Sequence, residues 1–257
     1  MCIIFFAFQA HPQYKLVVAA NRDENFQRPT ATAQFWQDEP NLLAGQDLSA
    51  HGTWLGVTKT GRFAALTNYR SAPSGEPQDK RSRGWIVRDF LLNDDSPQRY
   101  LNTIKEQKEA YRGFNVIVGD LSSLWYFSNR EHTVKQLEPG VYGLSNHLLD
   151  TPWPKIVRGK SQFQTCLESR DVSEDGLFRL LADDQLADDA DLPDTGVGLE
   201  LEKKLSPIFI RTPDYGTRSS TVLTISRDND VRFTERVYEN SHYLDHNYAF
   251  KIDATTD

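Results

Sequence analysis

The chain opens on an unbroken apolar run, Cys2-Ile-Ile-Phe-Phe-Ala-Phe8, followed by a break at His11-Pro12-Gln13 and a second run at residues 16–20. Short continuous apolar runs bounded by turn formers predict strands buried on both faces, here paired as a hairpin. The second strand leads straight into Asn21-Arg22-Asp23-Glu24. Residues 53–58 and 63–69, joined at Lys59-Thr-Gly61, predict two further antiparallel strands. The period then changes. Trp85, Val87, Phe90 and Leu91 share one face of a helix over Gly84–Leu92, and a second helix over residues 97–111 follows Ser96, a good N-cap.

A second strand block is predicted over residues 114–120, 124–128, 134–137 and 141–144, punctuated by Asp120, Asn129 and Pro139-Gly140. Helical spacing returns over 153–169 through Trp153, Ile156, Val157, Phe163, Cys166 and Leu167, and residues 174–183 add a shorter helix. Residues 182–202 are rich in aspartate and read as a solvated loop. Residues 208–211, 221–226 and 231–238 then predict strands, with Arg227-Asp-Asn-Asp230 as a hairpin turn. No repeat or linker divides the chain. Strands, helices, strands, helices and strands predict one domain over residues 1–257, an α+β four-layer αββα sandwich of mostly antiparallel sheets.

Composition supports that reading and removes others. A chain of 257 residues with 39% hydrophobic positions, 14 Phe and 10 Tyr can bury a sizeable core. A net charge of −7, with no Lys/Arg block longer than two, lacks the electrostatic footprint of a nucleic-acid or anionic-membrane partner. No apolar run is long enough for a transmembrane segment, and the opening run lacks the preceding charge and the cleavage pattern of a signal peptide. Two cysteines without a C-x-x-C give no disulfide framework and too few thiolates for a structural zinc site. The expected compartment is the cytoplasm, with no metal and no required cofactor.

Cys2 changes the picture, because it directly follows Met1. Aminopeptidases remove Met before a small side chain, which would leave thiol and α-amine on one residue. Such an amine, titrating near pH ~8, is the base an N-terminal nucleophile needs. Acyl transfer also requires an oxyanion donor, a group that orients the amine and a cation near the sulfur. Candidates stand at predicted strand ends: Asn68 or Asn146 for the oxyanion, Asp23 for the amine, Arg22 or Arg218 for the thiolate or an acidic substrate. Trp54, Tyr69, Trp85 and Trp153 are candidates for an apolar lining, and residues 76–83 and 182–202 for loops that shape the entrance. His242-x-x-x-His246, the helical-spaced histidine pair, reads as a surface feature.

Met1-Cys-Ile-Ile-Phe-Phe6, Ala20-Asn-Arg-Asp-Glu24, Gly52-Thr-Trp-Leu-Gly56, Ala64-Ala-Leu-Thr-Asn-Tyr69, Tyr142-Gly-Leu-Ser-Asn146, Leu149-Asp-Thr-Pro-Trp153 and Tyr215-Gly-Thr-Arg218 occur in an order that resembles the NRDE family, the transport and Golgi organisation 2 homologues. The resemblance implies an N-terminal-nucleophile-hydrolase-like fold. By similarity to hydrolases of that superfamily it implies a site of Cys2, Arg22, Asp23, Asn146 and Arg218. One departure is visible: those hydrolases usually separate Arg and Asp by three positions, whereas Arg22 and Asp23 are adjacent. The resemblance also implies a small hydrophobic or acyl-containing ligand, with haem as a transported ligand or acyl lipid as the substrate class. The alternative is a Cys2-dependent amidohydrolase or thioesterase. For haem, the sequence offers Cys2 or one of six histidines as an axial ligand.

Overall fold

The computed structural model describes residues 2–71, 80–239 and 242–252. One sheet has six strands in the order β10 (Gly140–Leu144), β1 (Cys2–Phe8), β2 (Tyr14–Asn25), β11 (Tyr215–Ser226), β12 (Asp230–Glu239) and β13 (His242–Lys251). The other has seven, in sequence order: β3 (Thr30–Phe35), β4 (Leu42–Asp47), β5 (Leu55–Thr58), β6 (Phe63–Asn68), β7 (Phe114–Gly119), β8 (Leu124–Ser128) and β9 (Val134–Leu137). Neighbouring strands pair antiparallel throughout.

The two sheets face each other across the main core. Ile4, Phe6 and Phe8 point into it, while Ile3, Phe5 and Ala7 point to an outer helical layer. Both faces of β1 are covered, so its apolar pattern is continuous instead of alternating. Each buried Phe there contributes roughly 2–3 kcal/mol relative to exposure. The outer layers are α3 (Pro154–Leu167) and α4 (Glu174–Leu181) on the six-stranded sheet, and α1 (Gly84–Leu92) and α2 (Pro97–Glu106) on the seven-stranded one. The architecture is the αββα sandwich expected from the sequence. At Gly159 of α3 an added Cβ would meet the Phe5 ring at 2.1 Å, so the missing side chain sets how closely that helix lies on β1. Helix starts follow local chemistry: the hydroxyl of Ser96 accepts from the Arg99 N–H at 3.4 Å and that of Ser173 from the Gly176 N–H at 3.2 Å.

Several elements differ from the sequence reading. β3 and β13 carry mixed polar sequences on partly exposed strands, and β4 is interrupted by Gly45, whose absent Cβ leaves room for Trp54. None of the three has a clear apolar period. His242 and His246 lie on β13, a strand, which removes the helical spacing assumed for them. Residues 208–211 form no strand; Arg211 makes one isolated bridge to Gly216, and β11 begins at Tyr215. The second helix stops at Glu106 and continues as a 3-10 turn, Lys108–Ala110. Residues 182–202 are not simply solvated: α5 (Leu199–Lys204) begins there and buries Glu202.

Candidate active site

Cys2 begins β1 directly opposite Arg22 of β2, and both side chains face the space between the sheets. A cleft of about 440 Å³ opens there, within the ~300–1,000 Å³ range of small-ligand sites. Cys2 is only 8% exposed at its floor. Burial pushes its thiol above the ordinary range, opposed by the Arg22 guanidinium and the Asp23 backbone N–H. The thiol therefore needs a base to become a nucleophile. Arg22 is held in place from two directions: its guanidinium carbon stands 4.0 Å from the Trp54 ring centroid, and Nη1 donates to Thr30 Oγ1 at 3.1 Å.

Adjacent Arg22 and Asp23 point to opposite faces of β2, as the pleat dictates. Asp23 is buried, and its Oδ1 accepts from Thr217 Oγ1 at 2.7 Å. Burial raises its pKa, with Lys155, Thr217 and Arg70 opposing. Asn21, on the same side, is structural. Its amide donates to Leu181 O at 2.8 Å and Ile208 O at 2.9 Å, while its Oδ1 accepts from Ser220 Oγ at 2.5 Å. In the Asn-Arg-Asp-Glu segment, Asn21 thus ties the helical layer to β2 while Arg22, Asp23 and Glu24 line the cleft.

The two asparagine candidates separate. Asn146 is fully buried, and its amide nitrogen donates to Asn68 O at 3.1 Å and Cys2 O at 3.5 Å, joining the two sheets at the nucleophile. The same junction is closed by Thr67 Oγ1 donating to Ser145 O at 2.5 Å and by the Arg70 N–H donating to Asn146 O at 2.7 Å. Asn68 lines the cleft, and its side chain forms no hydrogen bond among the described residues. Of the pair, Asn68 has the amide N–H groups left for an oxyanion.

Arg218 is placed differently from the expectation. It is the extra residue of a bulge between Thr217 and Ser219, and its Nη1 donates to Asn25 O, Arg28 O and Thr30 Oγ1. It does not line the cleft among the described residues; through Thr30 it braces Arg22. Among the aromatic candidates only Trp54 lines the cleft. Of the expected entrance loop at 76–83, residues 76–79 lie outside the described residues, as does Met1, while residues 80–83 form one wall.

Sequence reasoning missed a buried charged layer behind Asp23. Arg70 and Glu202 form a 2.5 Å ion pair, and Arg70 lies 4.9 Å over the Trp153 ring. Lys155 is buried and donates to Leu205 O at 2.9 Å; burial, with Arg70 next, lowers its pKa to about 7. Glu235 is also buried, accepting from the Ala33 N–H at 2.6 Å. Arg70 comes from a loop, Lys155 from the start of α3, Glu202 from the short α5 and Glu235 from β12, and none carries a local mark of burial; only the helical period of 153–169 pointed near Lys155. Among the described residues no three His, Cys, Asp or Glu side chains gather as a metal site, and no helix is long and apolar enough to cross a membrane.

Comparison with known proteins bears on the fold and on the family. The solved structure of a mutant of conjugated bile acid hydrolase from Clostridium perfringens aligns with a TM-score of 0.53 at 9% identity, covering 98% of this chain and 97% of that one. A Caenorhabditis elegans N-acylethanolamine-hydrolyzing acid amidase ortholog aligns at 0.50 and 12% identity, covering 86% and 92%. At such identities the likeness shows an N-terminal-nucleophile-hydrolase-like fold. In sequence, the Bos taurus transport and Golgi organization protein 2 homolog is 40% identical over 257 residues, 92% of each chain. The Homo sapiens homolog is 38% identical, covering 99% of this chain and all of that one. The family model described as Transport and Golgi organisation 2 matches residues 1–240, and the chain belongs to that family.

Proposed function

We propose that this chain is a cysteine acyl-transfer enzyme that hydrolyses a C–N or thioester bond after removal of Met1. The observation that carries the reading is the buried Cys2 thiol at the floor of a polar cleft, with Arg22 opposite, Asp23 next along the strand and an Asn68 amide that has no hydrogen-bond partner among the described residues. The freed α-amine takes the thiol proton while Sγ bonds to the substrate carbonyl carbon, and Asn68 donates to the oxygen as it gains charge. Collapse breaks the C–N or C–S bond, and the leaving group receives the proton from the amine. Water then adds to the thioester, its proton returns to the sulfur through the same amine, and the acid departs. Asp23 orients the ammonium form. Hydrolytic precedent on this fold comes from the bile acid hydrolase and the amidase ortholog.

Acyl compounds fit this reading as substrates. Haem mobilisation gains little from the lining, which among the described residues contains no histidine and a single aromatic, Trp54, beside many charges. The test is intact-mass measurement of the purified protein, then hydrolysis of an activated acyl ester and amide by the processed chain and by Cys2→Ala. Loss of a covalent acyl adduct and of turnover in Cys2→Ala is the expected result. Equal turnover in both proteins, or a fully processed chain that never acylates, overturns the reading.

A further inference from the structure

Two hollows meet at the thiol. The cleft of about 440 Å³ reaches Cys2 from outside, and next to it lies a second hollow of about 10 Å³, close to the space a single water needs. Ile4, Ala20 and Leu55 make this inner hollow apolar, and they belong to the main core between the sheets. Cys2, Arg22, Trp54 and Leu66 line both spaces and so form the partition between them.

The indole is the largest piece of that partition, and it is held on several sides. At Gly45 of β4 an added Cβ would meet ring carbons Cη2 at 2.3 Å and Cζ2 at 2.5 Å, so the ring fills the place of a side chain there. On its face the Arg22 guanidinium carbon stands 4.0 Å from the centroid. The Leu66 N–H donates to Trp54 O at 2.9 Å, which ties the two apolar members of the partition together. Packed in this way, the ring has little freedom to swing to another rotamer.

The seating of Trp54 decides where an acyl chain on Cys2 can go. The outer cleft carries Arg22, Asp23, Glu24, Arg28 and Asp47, and alkyl carbons laid against them desolvate charge while gaining little burial. Inside the partition, each buried methylene would be worth about fourfold in affinity. We propose that Trp54 is the specificity-determining residue of the site: by closing the inner hollow it confines Cys2 to short or polar acyl groups and excludes a long alkyl chain. The inference rests on the acyl-transfer reading and narrows its substrate class.

The processed chain is given 4-nitrophenyl acetate, butyrate and octanoate. In each, the carbonyl carbon bonds to Cys2 Sγ, the thiol proton passes to the α-amine, and 4-nitrophenolate leaves with the ester oxygen, so the acyl chain stays on sulfur. Rates are expected to fall from acetate to octanoate. Trp54→Ala raises the octanoate-to-acetate ratio tenfold or more, since two newly buried methylenes suffice for that, and Trp54→Leu raises it less. Trp54→Leu also serves where the alanine variant does not fold. The ratio cancels any loss of Arg22 support, which is common to both esters. Phe35→Ala loosens the same core outside both linings and leaves the ratio unchanged. Calorimetry on Cys2→Ala then reads binding without catalysis: octanoate binds no tighter than propionate, and adding Trp54→Ala tightens octanoate alone about tenfold. An unchanged ratio, unchanged octanoate binding, a wild-type preference for octanoate, or an equal shift in Phe35→Ala overturns the inference. A chain that never acylates but shows the shift in binding refutes the enzyme reading and leaves the role of Trp54 standing.

Discussion

Arg22 lies over the Trp54 indole at 4.0 Å, directly across the β1–β2 pair from Cys2. A guanidinium fixed on an aromatic face keeps its charge near the thiol, and among the described residues it closes no ion pair, although Glu24 and Asp47 act on it from a distance; the contact itself is worth about 1–2 kcal/mol when desolvated. Burial raises the Cys2 pKa and Arg22 opposes the rise. Arg22→Gln is therefore expected to push the thiol higher still and to slow alkylation by iodoacetamide at pH 7–8 several-fold. Trp54→Leu, which frees the guanidinium but keeps its charge, should slow it less. Identical pH–rate profiles for wild type and Arg22→Gln would show that the arginine does not act on the sulfur.

Asn68 and Asn146 should separate by phenotype. Asn146 joins Cys2 O to Asn68 O across the two sheets, so Asn146→Ala removes a donor from both carbonyls and should cost about 1–3 kcal/mol of stability. Asn68 lines the cleft and its side chain has no hydrogen-bond partner among the described residues, so Asn68→Ala should fold nearly normally. It should lower the acylation rate roughly 10²–10³-fold, the usual effect of removing one oxyanion donor. Urea melts alongside burst kinetics with an activated ester check both. Normal acylation by Asn68→Ala would remove it from the reaction.

The Arg70–Glu202 pair is buried at 4% and 3% exposure, and Glu202 Oε1 also accepts from the Thr195 N–H at 2.9 Å. Removing one partner strands the other charge, so Arg70→Met or Glu202→Gln should each cost about 3–5 kcal/mol. The double change should cost clearly less than the sum, by 1 kcal/mol or more. Additive losses in a double-mutant cycle by urea unfolding would mean that the pair is not coupled.

How far the chain could be read beforehand follows from where the pattern is local. The β1 run, the Ser96 cap and most of the stripe of α3 are written in neighbouring residues, and the layer order followed from them, although Val157, expected on that stripe, is exposed. Cys2, Arg22, Asp23 and Asn68 were legible because strand-end polar residues after apolar runs stand out, and all four line the cleft. Arg218 was misplaced because a bulge, invisible in composition, turns it onto carbonyls of the β2–β3 connection. The joining of the 80–83 and 110–113 segments was illegible for a different reason. Arg81 and Arg112 are 31 positions apart and become neighbours only through one backbone bridge.

Lys155 makes stability depend on pH in a defined direction. Its pKa is lowered to about 7 by burial, whereas an unfolded chain holds that proton until about pH 10.4. Below pH 7 both states are protonated and the burial penalty is carried in full. Between roughly 7 and 10 the folded chain sheds the proton first, so stability relative to Lys155→Met should climb with a slope of up to ~1.4 kcal/mol per pH unit. Asp23 works in the opposite sense in acid, since its raised pKa makes the folded chain take up a proton before the unfolded one. Urea midpoints of both proteins from pH 6 to 9.5 read the difference, and a flat difference would mean that Lys155 stays charged when folded.

Gly52 connects the fold to the cleft. Its absent Cβ would stand 2.6 Å from the Gly84 carbonyl carbon, and the Thr53 N–H donates to Gly84 O at 3.1 Å, so the first residue of α1 rests directly on the Gly-Thr-Trp segment that carries Trp54. A backbone atom cannot yield as a flexible side chain would. Gly52→Ala should therefore shift the start of α1, and with it Arg83, away from the cleft, at a cost of about 1–3 kcal/mol from overpacking. Gly198→Ala provides the contrast: its φ of +86° predicts backbone strain, but nothing stands within 4 Å of the new methyl group and Gly198 does not line the cleft. Gly52→Ala should slow acylation of Cys2 as well as lower stability, and Gly198→Ala should lower stability alone. Equal acylation rates in the two variants would separate the seating of α1 from the reactive site.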